Sequence, residues 1–164
     1  NALSMLEGIQ DEKALGVAAE GLKDADADVR LQAVEATARI IGPETAPVLK
    51  TAFRDNDLSV RQLAFQTALR QTDATRTSLI EEAIHSPFED LAQASLGMVE
   101  AEPGQTTIPL MMDALSHPSA TVREKAHDTL YLIFHEDFSN TAVAKGWWLQ
   151  NHRRYDENLV LKTP

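Results

Sequence analysis

The sequence predicts an all-α solenoid built from antiparallel helix pairs, and three patterns support this fold class. Apolar residues recur every 31 positions in four columns of one phase, as expected for stacked supersecondary repeats. Within each repeat the apolar residues follow helical spacing, and the connections between stripes carry helix-start residues. The columns are Val29, Val60, Leu91 and Val122; Leu22, Phe53, Ile84 and Leu115; Val17, Val48, Leu79 and Leu110; and Ala18, Leu49, Ile80 and Met111.

Each repeat is predicted to contain two helices. The first apolar stripe, as in Val48, Leu49, Ala52 and Phe53, lies on one face of a helix because its spacing is i, i+1, i+4, i+5. A second stripe follows after a short polar connection. The residues predicted to cap the second helices at their N-termini are Asp26, Asp57 and Ser119. After the second helices, Gly42 and Gly104 are predicted to be left-handed C′ residues.

The whole chain, residues 1–164, is predicted to form one domain. Residues 1–10 resemble the end of a preceding repeat, because Leu3, Met5, Leu6 and Ile9 match the end of a second helix one period later. We therefore expect the chain to belong to a longer array or a larger protein. The predicted segments after residue 10 are four repeats, 11–42, 43–73, 74–104 and 105–135, and a closing segment, 136–164.

The closing segment departs from the period, since Gly146 and Arg153 stand where the columns require apolar residues. It contains Phe138, Trp147, Trp148 and Tyr155, and repeat arrays need terminal caps. We predict an aromatic cap that folds over the second helix of the fourth repeat. One tryptophan is expected to pack on that repeat and the other to cover its edge or follow the returning tail, because neighbouring helical side chains point about 100° apart.

Two segments in equivalent positions carry a family resemblance. They read Lys-Asp-Ala-Asp-Ala-Asp-Val-Arg at 23–30 and Arg-Asp-Asn-Asp-Leu-Ser-Val-Arg at 54–61. This pattern resembles HEAT-like repeats of the short bacterial type, which are grouped with phycobilisome-lyase repeats. The resemblance implies a right-handed solenoid whose second helices line the concave, partner-binding side. The third repeat departs from the pattern, because Ala92 replaces the arginine found at 30, 61 and 123.

Arg30, Arg61 and Arg123 allow two interpretations. They can tie consecutive turns together through aspartates and carbonyl groups, or they can line a concave surface that holds an acidic partner. We favour the structural interpretation, because the arginines directly follow a core column and because the acidic residues Asp24, Asp26, Asp55 and Asp57 lie in the first two turns.

No catalytic pattern is present in the sequence. The five histidines follow no ligand spacing, and there is no cysteine, Gly-rich phosphate loop or Ser-His-Asp arrangement. We therefore expect no enzymatic activity, no cofactor and no metal. The net charge of −10 opposes nucleic-acid binding, and no apolar stretch is long enough for a membrane span.

We predict a non-enzymatic protein-interaction or scaffolding module, monomeric as a fragment, with an unidentified protein partner. Two alternatives stay open: a bilin-lyase-like role suggested by the family resemblance, and a structural spacer between catalytic domains. The candidate partner-binding residues are Glu35, Arg39, Gln66, Arg70, Gln93, Asp128 and Tyr131 on the second helices, with Trp147 and Trp148 in the closing segment.

Overall fold

The computed structural model describes residues 2–162, with side chains from residue 11 onward. This part of the chain is helical, apart from turns, connections and one isolated antiparallel bridge between Tyr155 and Leu161. It divides into two compact units, residues 1–83 and 84–164. The single-domain organisation with its four repeats stays a prediction, and each unit is described by itself.

The first unit contains a series of helices. They are α1 (Ala2–Gly21), α2 (Ala27–Thr37), α3 (Ala46–Ala52), α4 (Leu58–Leu69) and α5 (Asp73–Ile84), whose last residue belongs to the second unit. α1 packs on α2, and α2 contacts both α3 and α4, which also contact each other. A short 3-10 turn, Pro43–Thr45, leads into α3.

The second unit begins with α6 (Glu89–Ala101), which packs against the pair α7 (Ile108–Asp113) and α8 (Ala120–Phe134). α7 continues into a 3-10 turn, Ala114–Ser116. α9 (Thr141–Asn151) then packs against α7 and this 3-10 turn. A second 3-10 turn, His152–Arg154, follows α9 and leads to the Tyr155–Leu161 bridge.

The predicted N-caps of the second helices are confirmed. Asp26 and Asp57 each accept a hydrogen bond from the backbone N–H two residues later, at 2.9 and 2.8 Å. Ser119 accepts from the N–H of Val122 at 3.4 Å. Each bond satisfies a donor that has no partner within the first turn of its helix.

The predicted left-handed glycines are wrong. Gly42 has φ 162°, an extended backbone, and none of the described glycines has a left-handed φ. α2 ends at Thr37 and α6 at Ala101, so Gly42 and Gly104 lie several residues beyond the helix ends. They belong to the connections that start the next helix. The left-handed C-cap lies instead at His135, where α8 ends with φ 55°.

α1 runs without a break through residues 10 and 11. The sequence predicts the boundary between a preceding repeat and the first repeat at this point. The side chains of Leu3, Met5, Leu6 and Ile9 lie outside the described residues.

The apolar columns form the core with two exceptions, both in the first repeat. Phe53 and Val60 are 1% and 0% exposed, and the later members of all four columns are buried. Val29 is only half-buried. Val17 is 74% exposed, so its placement in the core is wrong. α1 packs through Ala18 and Leu22, and Val17 points about 100° away from Ala18 around the helix.

The closing segment packs differently from the prediction. α9 lies against α7, and the Thr141 hydroxyl donates to the carbonyl of Met112 at 2.8 Å. The contact with α8 is made at its last residue, Phe134. The Phe134 ring centroid is 5.1 Å from that of Trp147 and 5.6 Å from that of Trp148. Both indoles therefore contact the fourth predicted repeat, because the Phe134 ring projects from the helix end where it meets both.

Candidate interaction surface

An exposed row of polar side chains crosses the second helices of the first unit. α2 and α4 pack together through buried residues such as Val34 and Ala64. Glu35 and Gln66 lie on the solvent side of these helices, while Arg39 follows the end of α2 and Arg70 caps the C-terminus of α4; all four are exposed. In the described part of the chain neither arginine forms an ion pair. Both guanidinium groups are free to meet a partner.

In the second unit the predicted residues do not share one environment. The Gln93 side chain is half-buried, and its amide donates to the carboxylate of Glu89 at 2.7 Å. Asp128 and Tyr131 are exposed on α8. Tyr131 lies between two imidazole rings, stacked on His127 with centroids 6.5 Å apart and edge-on to His135 at 6.2 Å. The i, i+4 spacing of these three residues signals this aromatic row in the sequence, but the prediction did not include it.

His127 links α8 to the connection that follows it. Its Nε2 lies 2.9 Å from Asp137 Oδ1 and its Nδ1 lies 3.3 Å from Asp128 Oδ1. The hydrogen bond to Asp137, then that to Asp128, raises the pKa of His127 above its ordinary value, with a smaller opposing effect from burial. The charged imidazole is thus favoured in the folded state.

This geometry predicts a pH dependence with a definite sign. The pKa of His127 is higher in the folded chain than in the unfolded chain, where it is about 6.5. Its stabilising contribution should therefore be complete at pH values below the unfolded pKa, and it should disappear as the pH rises through the folded-state pKa. The effect should stay below about 1 kcal/mol, since the pair is solvent-exposed. In urea titrations, His127→Gln should lose more stability at pH 5 than at pH 8. An equal loss at both pH values would contradict the ion pair.

The two tryptophans are packed inside the molecule. Trp148 is 7% exposed, and Trp147 is half-buried with its ring centroid 5.4 Å from that of Phe138. Tyr155 completes this aromatic cluster, 5.4 Å from Phe134. The exposed large apolar residues of α9 are instead Val143, at 48%, and Leu149, at 75%. Within the closing segment, Trp148 is therefore unavailable as a surface residue, and Trp147 is only partly accessible.

Each turn that precedes a second helix contains a further side-chain cap. The residue that begins each turn accepts a hydrogen bond from the backbone N–H two residues later, at distances of 2.8 to 3.2 Å. These residues stand 31 positions apart, and they are Asp24, Asp55, Ser86 and His117.

Arg30 joins two such turns in the first unit. Its Nε and Nη2 donate to the two carboxylate oxygens of Asp55 at 2.7 and 3.0 Å, and its Nη1 donates to the carbonyls of Asp24 and Ala25. Burial raises the pKa of Asp55, but the hydrogen bond from Arg30, the N–H of Asp57 and the nearby positive charges together lower it below its ordinary value. Arg30 is thus engaged within the fold.

The other two arginines repeat the carbonyl contacts. Nη1 of Arg61 and of Arg123 donates to the carbonyls six and five residues earlier, at 2.7 to 3.1 Å. Arg61 is itself buried, at 7% exposure. These contacts support the structural interpretation of the arginines over a role in holding an acidic partner.

Residues 1–70 match a family model described as HEAT repeats. This part of the chain is therefore similar to HEAT repeats. The match spans α1 to α4 and so includes Arg30, Asp55 and Arg61 with their turns. No curated protein and no solved structure matches the chain.

The described residues contain no group of three or more histidine or acidic side chains placed to hold a metal ion. Within the same residues no helix has the length and apolar character needed to cross a membrane.

Proposed function

We propose that this chain is a non-enzymatic module for protein–protein interaction or scaffolding. HEAT repeats generally serve these roles, which supports the class of function. We further infer that 31-residue helix pairs form a right-handed solenoid over residues 11–135, closed by residues 136–164 as a cap. The recurring columns and turn residues support this inference. We also infer that the chain is a monomer. It does not bind nucleic acid, since its net charge is −10.

The observation that carries the proposal is the exposed row Glu35, Arg39, Gln66 and Arg70. Arg39 and Arg70 stand 31 residues apart, just beyond the ends of α2 and α4. Neither forms an ion pair in the described part of the chain, although acidic residues outnumber basic ones by 25 to 15. Guanidinium groups recognise carboxylates through paired hydrogen bonds. We propose a partner that places carboxylates opposite Arg39 and Arg70, with Asp128 and Tyr131 as candidate contacts in the second unit.

Charge reversal tests this function. The chain and its variant Arg39→Glu, Arg70→Glu are used to capture partners from an extract of the source organism, and each captured protein is then purified and titrated against both by calorimetry. We expect direct binding to the chain and at least tenfold weaker binding to the variant. The matched control is Lys13→Glu, Arg153→Glu, two exposed positions with the same change in charge. Equal binding by all three proteins would contradict the surface, and the absence of any direct protein binding would contradict the function.

A further inference from the structure

We propose that His117 replaces the arginine missing at position 92. Its imidazole joins two turns of the second unit, and this joint requires a neutral imidazole and loosens in acid. This proposal concerns the fold's response to pH and does not depend on the binding function.

The joint connects turns that start 31 residues apart. Ala92, which is fully buried, has no side-chain donor for the carbonyl of Ser86, six residues earlier. Arg30 and Arg61 supply that donor in their own turns, to the carbonyls of Asp24 and Asp55. In the second unit Nε2 of His117 lies 2.9 Å from the Ser86 carbonyl. The imidazole of the following turn thus makes the contact that position 92 cannot make.

The hydrogen bonds define the tautomer of His117. The backbone N–H of Ser119 can only donate, and it lies 3.0 Å from Nδ1, so Nδ1 must be the acceptor. The proton is then on Nε2, which donates to the Ser86 carbonyl. The side chain is 5% exposed. A second proton would place an N–H on Nδ1 against the N–H of Ser119, so protonation must break this contact.

The charged groups around His117 give the imidazole no counter-ion among the described residues. Arg123 donates to the backbone carbonyl of His117, at 2.7 Å. His85 and Asp113 line the same cleft, with Asp113 paired to Lys145. From α6, Glu89 accepts from the Ser119 hydroxyl at 2.9 Å. No carboxylate in the described part of the chain hydrogen-bonds the ring.

The corresponding joint of the first unit behaves differently. Arg30 stays charged at all relevant pH values, and the pKa of Asp55 is lowered. The Arg30–Asp55 contact therefore does not depend on a neutral imidazole.

The variant His117→Asn tests the proposal, because its amide oxygen can still accept from Ser119 but does not titrate. Urea unfolding is measured at pH 7.5 and 5.5 for both proteins. Because protonation of the folded chain would break the contact with Ser119, the folding equilibrium constant of the parent should fall more between pH 7.5 and 5.5 than that of the variant. The contribution of His127 has the opposite sign but is common to both proteins and cancels. Equal pH dependence in the two proteins would overturn the proposal.

Two further measurements keep the proposal testable if that variant does not fold. Nitrogen-15 NMR of the parent at pH 7.5 should show the Nε2–H tautomer for His117, and the Nδ1–H or charged form would overturn it. The pair Ala92→Arg, His117→Asp supplies the arginine and carboxylate found in the first unit. This double variant should be more stable than His117→Asp alone, and it should not lose stability in acid as the parent does. If the two changes destabilise the chain additively, the proposed link between the two turns is contradicted.

Discussion

Phe53→Ala is expected to destabilise the chain by about 3–5 kcal/mol, because it removes a large side chain from the core and leaves a cavity. Phe53 is 1% exposed, and its ring centroid lies 6.3 Å from that of Phe65 on α4. The change thus acts on the contact between α3 and α4. Urea unfolding followed by circular dichroism measures the loss.

Val17→Ala is the matched control for this prediction. Val17 stands in another of the periodic columns but is 74% exposed, so its truncation should change the free energy of unfolding by less than about 0.5 kcal/mol. A loss below about 1 kcal/mol for Phe53→Ala, or similar losses for both variants, would mean that the assigned core is wrong.

Trp148→Ala is expected to cost a similar amount, about 3–5 kcal/mol. Its ring contacts Phe134, Tyr155 and His152 at centroid distances of 5.6, 6.1 and 5.9 Å, and it is 7% exposed. The loss should appear as a lower urea midpoint and as exposure of apolar surface to a hydrophobic dye.

Leu149→Ala provides the control for Trp148, since its side chain is 75% exposed on the same helix. It should leave the urea midpoint nearly unchanged. If Trp148→Ala also leaves the midpoint unchanged, the aromatic cluster does not stabilise the closing segment.

Local signals allowed the helices and their starts to be predicted. Asp26, Asp57 and Ser119 were identified correctly because an N-cap depends on a few neighbouring residues. Gly42 and Gly104 were misinterpreted, because a glycine after a helix signals a C-cap only if the helix continues up to it. The exposure of Val17 could not be read from the period, since burial depends on whether a neighbouring helix covers that side of α1.

The candidate site was harder to predict than the fold. Exposure of Arg39 and Arg70 followed from the helical pattern, whereas burial of Trp148 depends on where the tail returns. The role of His117 was missed although its signal is present in the sequence, in the column Asp24, Asp55, Ser86 and His117. A histidine in a column of aspartates and serine gives no indication of function until its two hydrogen bonds are known.

The joining of consecutive turns by side chains is tested most directly by a double-mutant cycle on Arg30 and Asp55. These side chains share two hydrogen bonds in the first unit, so each single alanine substitution should remove the same interaction. The free energy of unfolding is measured for the parent, Arg30→Ala, Asp55→Ala and the double variant. We predict that the double variant loses clearly less stability than the sum of the two single losses. Losses that add within experimental error would contradict a direct link between the turns.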